Sequence, residues 1–372
     1  MARKRGNGEG GVSRRKDGRW EGRYTVDTPS GRERRSVYGK TRKEVAQRLA
    51  QAIATKDVAA HRAVPGITVR GFLVQYEDAI RDTVKRRSLE TYQDIARLHL
   101  VPAFGNTKLE SLTREQVQRM YSEKRDAGLS AARVRRIHGV LSSALNCAVR
   151  WRLIGHNVCK EVNPPRVHPP TIRPLSGEEA RRFLEAAAKD RFQALYVLGI
   201  TTGARIGELG GLFWSDVDTE HRALRIQRSL VTGRGGQSLE SPKTANSLRT
   251  VGLSTGAIEA IERHRKRQAN GGLRVGGDSL VFTNGVGKPI NPSHVICRSF
   301  KPTLKRADLP DTTFHAATRH TFCCLALQQG VNAKTISTAM GHSSVAFTLQ
   351  RYAAFVPKYG DTADALDEVL NR

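Results

Sequence analysis

Two histidines flank one arginine in FHAATRHTF, residues 314–322, and two cysteines, Cys323 and Cys324, follow directly. Imidazoles and thiols packed this closely are metal ligands in one setting. In another, histidine and arginine N–H groups form a set of donors aimed at a phosphate. The cysteines weaken the first chemistry. The five in the chain (Cys147, Cys159, Cys297, Cys323, Cys324) are scattered, and none forms a C-x-x-C pair. On a helix the adjacent pair would point about 100° apart, a poor start for sharing an ion. Buried, reduced thiols are the expectation.

The charge of the whole chain bears on the second chemistry. Lysine and arginine number 62 against 35 acids in 372 residues, a formal net charge of +27. A surplus this large, spread along the chain, is expected of a protein that neutralises nucleic-acid phosphates. Attachment to an acidic membrane is the competing reading, but neither an amphipathic membrane helix nor a lipidation signal accompanies the charge. The longest apolar run, LYVLGI at 195–200, is too short to cross a bilayer. The N-terminal MARKR leads into GNGEGG with no apolar stretch behind it, so no signal peptide is expected. The expected location is the cytoplasm, in association with the nucleoid.

Three segments must position these groups. Residues 1–64 hold 17 basic and 7 acidic side chains. GRWEGRYTVDTPSGRERRSVYGK alternates as short strands do, with TPSG as a turn. TRKEVAQRLAQAIATK reads as a helix capped by Thr41 with Glu44 three residues on. Three strands and a helix make a small module, and a sheet face carrying arginines and Trp20 can enter a DNA groove. From Ile67 the pattern turns helical: Phe72, Tyr76 and Ile80 recur at i, i+4, i+8, and Thr113 with Gln116 forms a capping box. This all-helical segment ends at NPPRVHPP, residues 163–170, which reads as a linker. The third segment opens on a second capping box, Ser176 and Glu179. It continues through helices, a strand pair (RALRIQRSLV and SLRTVGL) and further helices.

Four landmarks fall in order within the third segment: TTGARIGELGGLFWSDVD, SPKTANSLRTVGL, FHAATRHTF and MGHSSVAFTLQRYAAFVP. Together they resemble the tyrosine recombinases, the phage-integrase family of site-specific DNA recombinases. Residues 1–64 look like the arm-binding module of lambda-type integrases. The resemblance implies a multidomain, mainly α protein with small β elements. Its parts are an arm-site module (1–64), an all-helical core-binding domain (65–163) and a mixed α+β catalytic domain with a C-terminal tail (164–372).

The chemistry can be read beside the resemblance. Breaking a DNA strand while conserving its bond energy requires a covalent enzyme–phosphate link, which a tyrosine phenol can supply. The transition state spreads negative charge over the non-bridging oxygens, and two guanidinium forks suit them. With two arginines neither a metal nor a cofactor is necessary, which favours the phosphate reading of FHAATRHTF.

By the resemblance, Arg205 in TGARIGE is the first arginine, with Glu208 one helical turn away to orient it. Lys243, in the turn between the two expected strands, is the general acid that protonates the departing 5′ oxygen. Arg319 is the second arginine, and His342 in GHSS hydrogen-bonds the phosphate. Tyr352, ten residues beyond His342, is the nucleophile, and Tyr359 is its nearest competitor. One departure stands out. The family has histidine three residues before the second arginine, but His315 stands four before Arg319, and Ala316 occupies the expected place. His315 is carried over on the condition that a local turn or a wider helical turn absorbs the extra residue.

The resemblance implies an integrase that joins two double-stranded DNA attachment sites, core and arm, through 3′-phosphotyrosyl and Holliday-junction intermediates. The working form is a homo-tetramer on DNA, with a host bending protein or a directionality factor as further partners. The acidic tail DTADALDEVL reads as a helix that docks on another protomer. Two other readings stay open: a type IB topoisomerase, which the separate N-terminal module disfavours, and a catalytically inactive DNA-binding protein, which the shifted His315 keeps in view.

Overall fold

A computed structural model describes residues 11–15, 18–28, 31–59, 66–167, 173–241 and 248–355. The chain divides into two compact units, Met1–Pro169 and Pro170–Arg372. The division falls inside the proline-rich stretch 163–170, of which residues 168–170 lie outside the described residues.

The first unit begins with strands β1 (Gly11–Arg14), β2 (Trp20–Thr28) and β3 (Gly31–Gly39), an antiparallel sheet in that order. The long pair runs in register from Trp20 opposite Gly39 to Thr28 opposite Gly31. Pro29 and Ser30 of the expected turn lie outside the described residues. Helix α1 (Arg42–Ala59) lies against the sheet with Val45 and Leu49 buried. Gly22 permits this approach, since a Cβ there would stand 3.0 Å from Val45 Cγ1. The helix start departs slightly from a full capping box. Thr41 Oγ1 accepts from Glu44 N at 3.2 Å, while the Glu44 carboxylate accepts from Lys40 N at 2.9 Å.

Helices α2 (Val69–Ile80), α3 (Arg86–Ile95), α4 (Val101–Phe104), α5 (Arg114–Asp126) and α6 (Ala131–Arg150) follow. A π-helical turn, Ala96–Leu100, joins α3 to α4. The 3.6-residue period emerges as one buried core that includes Phe72, Tyr76, Leu100, Tyr121, Ile137 and Leu141. The Thr113–Gln116 box closes with both hydrogen bonds.

In the second unit the Ser176–Glu179 box starts α7 (Gly177–Ala186). Next comes α8 (Gln193–Thr202), apolar on every side and buried along most of its length. Its Tyr196 packs in a cluster with Phe183, Phe300 and Phe314, ring centroids 5.2–6.3 Å apart. After α9 (Ile206–Gly210) come β4 (Val217–Asp218), β5 (Ala223–Ile226), β6 (Ser229–Gly233), β7 (Gly236–Glu240) and β8 (Arg249–Gly252). Helices α10 (Thr255–Asn270), α11 (Pro292–Val295), α12 (Lys301–Arg306), α13 (Thr321–Gln328), α14 (Ala333–Met340) and α15 (Val345–Tyr352) complete the described residues.

The expected strand pair needs correction. Residues 222–231 do not form one strand. They break at Gln227–Arg228, so that β5 pairs with β8 and β4 while β6 turns back on β7 as a separate hairpin. Glycines at 233, 235 and 236 supply the tight reversal, Gly236 with φ +95°. Lys243, expected in the turn between the strands, lies outside the described residues, in the stretch of sequence between β7 and β8. Among the described residues, no helix is long and apolar enough to cross a membrane.

Candidate active site

Two left-handed glycines end helices that converge on Arg319. Helix α8 closes at Gly203 (φ +65°) and α14 at Gly341 (φ +65°). A Cβ at Gly203 would lie 2.5 Å from Phe322 Cδ1, so both backbone angle and space require glycine. Arg319 has 1% of its surface exposed. Its Nη1 donates to the Gly203 carbonyl at 2.7 Å and its Nη2 to the Met340 carbonyl at 2.6 Å. One guanidinium thus ties together the ends of two helices that are far apart in sequence. Burial, with Arg205 close by, lowers its pKa to about 9, so it stays cationic at neutral pH.

Arg205 stands at the N-cap of α9 and is braced by Glu208. Its backbone N–H donates to Glu208 Oε2 at 2.9 Å and its Nη1 to Oε1 at 2.8 Å. The carboxylate is buried, 6% exposed, while the arginine side chain is 42% exposed, so the far edge of the guanidinium is open to a ligand. A residue not singled out from sequence completes the brace. Arg249 on β8, its side chain 4% exposed, donates to Glu208 Oε2 at 2.8 Å and, through Nε, to the Ala339 carbonyl at 2.6 Å. Burial alone would raise the Glu208 carboxyl pKa. The Arg249 hydrogen bond and charge, with Arg205 behind them, outweigh burial and hold it below the ordinary value of 4.5.

Arg319 and His320 lie on a π-helical turn, Ala316–His320, which is entered directly from His315. The Thr321 backbone N–H reaches back five residues to the Ala316 carbonyl, and Thr321 Oγ1 donates to the same oxygen at 3.0 Å. This is the wider turn that the extra residue between His315 and Arg319 calls for. His315 and His320 are then stacked edge to face, with centroids 4.7 Å apart and planes at 89°. His320 Nδ1 is hydrogen-bonded to Tyr352 Oη. Tyr352, at the end of α15, is 2% exposed and packs with Cys323, Cys324, Leu327, Ile336 and Met340. His342, just past Gly341, is held by a 2.7 Å hydrogen bond between Nδ1 and Thr348 Oγ1 and by edge contact with Phe347.

Arg205, His315, Arg319, His342 and Tyr352 therefore belong to one electrostatic cluster. Burial, reinforced by neighbouring positive charge, lowers His315, His320 and His342 from 6.5 to about 4. For His315 and His342 that charge is chiefly Arg319 and Arg205; for His320 the coupling is to the His315 imidazole and to Arg351. All three imidazoles are neutral at pH 7. The Tyr352 phenol is pushed up by burial and stays protonated. Such an arrangement disfavours more cations and favours an anion.

Lys243 and Tyr359 lie outside the described residues, as does the tail DTADALDEVL. Of the cysteines, Cys147, Cys159, Cys323 and Cys324 are buried as expected, but Cys297 is exposed. It sits in the π-helical turn Ile296–Phe300, between α11 and α12, whose buried positions are Ser299 and Phe300. Among the described residues no group of three or more His, Cys, Asp or Glu side chains is placed to hold a metal ion.

The sequence profile of the phage integrase family matches residues 173–357, and that of the phage-integrase N-terminal SAM-like domain matches residues 68–125. A XerC-like tyrosine recombinase of Caldanaerobacter subterraneus subsp. tengcongensis is 32% identical over 68% of this chain and 69% of its own length. An integrase of Streptomyces ambofaciens is 30% identical over 100% of this chain and 99% of its own. In three dimensions the chain is similar to the Tn1549 transposon integrase, solved with a circular intermediate DNA. The TM-score is 0.69 at 24% identity, covering 82% of this chain and 99% of the other.

Glu208→Gln removes the carboxylate charge that faces the buried Arg249, and the catalytic unit should lose about 3 kcal/mol of stability at pH 7. A carboxyl whose folded pKa is depressed stabilises the fold above its unfolded value and loses that contribution as pH falls through the depressed value. Urea titrations should therefore show the gap between wild type and Glu208→Gln at full size near neutrality and shrinking below pH 4.5. A gap that does not change with pH would mean that the charge on Glu208 is not what matters.

Proposed function

We propose a mechanism on one premise: this chain belongs to the phage integrase family, the tyrosine site-specific recombinases. It is an enzyme that breaks and rejoins DNA at specific sites and integrates a mobile element. What supports the assignment of its groups is the convergence of Tyr352 Oη, a buried Arg319 and a half-exposed, carboxylate-braced Arg205 in one cluster.

In this reading the Tyr352 oxygen attacks the scissile phosphate and forms a 3′-phosphotyrosyl bond, which a second DNA hydroxyl later displaces. Arg205 presents its open edge to the non-bridging oxygens. Arg319, with two of its five N–H donors committed to backbone carbonyls, has others left for the same oxygens. His342 and His315 add hydrogen bonds to the phosphate, and Lys243 protonates the departing 5′ oxygen. Each donor aimed at the developing charge is worth about 3–4 kcal/mol of transition-state stabilisation. Bound phosphate also raises the neighbouring imidazole pKa values, so substrate and site charge are matched.

Joining two duplexes takes four strand cleavages, and the proposal therefore includes a homo-tetramer on DNA passing through a Holliday junction. Residues 65–163 and the catalytic domain 164–372 both bind the core site, and residues 1–64 bind arm sites. The strongly basic charge supports both contacts and a location at the nucleoid in the cytoplasm. A host bending protein or directionality factor would act on the same complex.

On a nicked suicide duplex carrying the attachment core, located by sequencing the DNA ends the protein joins, wild type should form a covalent adduct that survives denaturation. Tyr352→Phe should keep DNA affinity and form none; an adduct on Tyr359 would overturn the assignment. Lys243→Ala should slow cleavage by roughly 10²–10⁴-fold. A 5′-bridging sulfur in the substrate should restore the rate, because a thiolate leaves without a proton. A variant starting near Pro65 should still cleave this duplex but integrate poorly. If it lost cleavage, the N-terminal module would belong to the catalytic core.

A further inference from the structure

The tyrosine nucleophile must shed a proton as it attacks, and the group at its oxygen is not the histidine expected from the motif. His315 touches the cluster through the ring of His320, and it is His320 Nδ1 that holds the Tyr352 hydroxyl. We propose that His320 is the proton acceptor for Tyr352 during cleavage, and its donor during rejoining. The proposal rests on the reading of Tyr352 as nucleophile.

Three features of the structure favour this role. The hydrogen bond joins the π-helical turn to the end of α15 and so selects one hydroxyl orientation. The ring centroids of His320 and Tyr352 are 5.4 Å apart with planes tilted 55°, which aims the phenolic oxygen at an edge nitrogen instead of stacking it. The widened turn also presents His320 on the same side as His315, whose perpendicular ring fixes the imidazole plane. The neutral state of His320 at pH 7 is the state that can accept. Its remaining proton then resides on Nε2.

The step balances without an oxidant or a metal. The Oη–H bond breaks and the proton moves to His320 Nδ1, while an oxygen electron pair forms the Oη–P bond. The P–O5′ bond breaks with its electron pair on O5′, which takes a proton from the general acid. The new imidazolium lies close to Arg319 and Arg351 and is tolerated only while the anionic phosphate is present. Rejoining is therefore favoured to return that proton to the tyrosine.

Two variants and the wild type, in single-turnover cleavage of the same suicide duplex, test this. His320→Asn keeps an oxygen acceptor near the position of Nδ1 but cannot take up the proton; His320→Ala removes the acceptor. Both should retain DNA affinity and slow adduct formation on Tyr352 by roughly 10²–10⁴-fold, the usual share of acid–base help. Free imidazole should recover part of the rate in His320→Ala. Wild-type speed in His320→Asn would reduce the residue to a hydroxyl holder and overturn the proposal. So would faster cleavage in His320→Ala, which would mark the bond as a restraint on the nucleophile. Loss of the cooperative thermal melt in both variants would assign His320 to the fold and overturn it as well. If wild type forms no adduct, the reading of Tyr352 falls and this proposal falls with it; a wild-type adduct with unaffected variants removes the His320 proposal alone.

Discussion

A guanidinium sealed from solvent is costly unless every nearby group is arranged to receive it, and Arg319 is such a group. Its two hydrogen bonds end on the carbonyls of Gly203 and Met340, the points where α8 and α14 stop. Both helices must therefore terminate within reach of one side chain. The residues that follow those termini, Arg205 after Gly203 and His342 after Gly341, are delivered to the same place. A single buried cation thus sets the spacing between two motifs 137 positions apart, a distance read directly from residues 205 and 342. The Glu208 carboxylate plays the complementary part. It couples Arg205 to β8 through Arg249, and Arg249 in turn holds α14 at Ala339.

Much of this was legible in the sequence because it rests on local rules. The capping boxes at Thr113 and Ser176 and the three-strand module followed from spacings of a few residues. The Arg205–Glu208 pair also followed from an i, i+3 spacing. The motif order then drew Arg319, His342 and Tyr352 into one region. What escaped was long-range. Arg249 lies within the landmark SPKTANSLRTVGL, but its own part arises only because β8 pairs with β5 and passes beside α14. The split of residues 222–231 into two strands was hidden for the same reason. Leu224, Ile226 and Leu230 fall on one face of a period-2 pattern on both sides of the break, and the pairing partners reveal the split. His320 was in plain view in FHAATRHTF, but its tie to Tyr352 spans 32 residues.

The extra residue between His315 and Arg319 shows how packing decides among local options. A regular helix would have kept its hydrogen-bond ladder and turned Ala316 toward the position the motif gives to histidine. The chain instead spends one ladder register on a π-helical turn. The contacts on either side explain why the irregularity falls there. Ala317 and Thr318 are sealed against α8, where a Cβ on Gly199 would lie 3.0 Å from Thr318 Cγ2. Downstream, Thr321 is pinned by donating to the Ala316 carbonyl and accepting from Leu175 N at 2.9 Å. Neither flank can rotate by 100° without losing these contacts. Widening the turn between them preserves both, at the cost of one register of the regular helical ladder. The same widening sets His315 and His320 edge to face and brings His320 to the tyrosine oxygen. An insertion that disrupts the motif on paper therefore adds an imidazole contact in space.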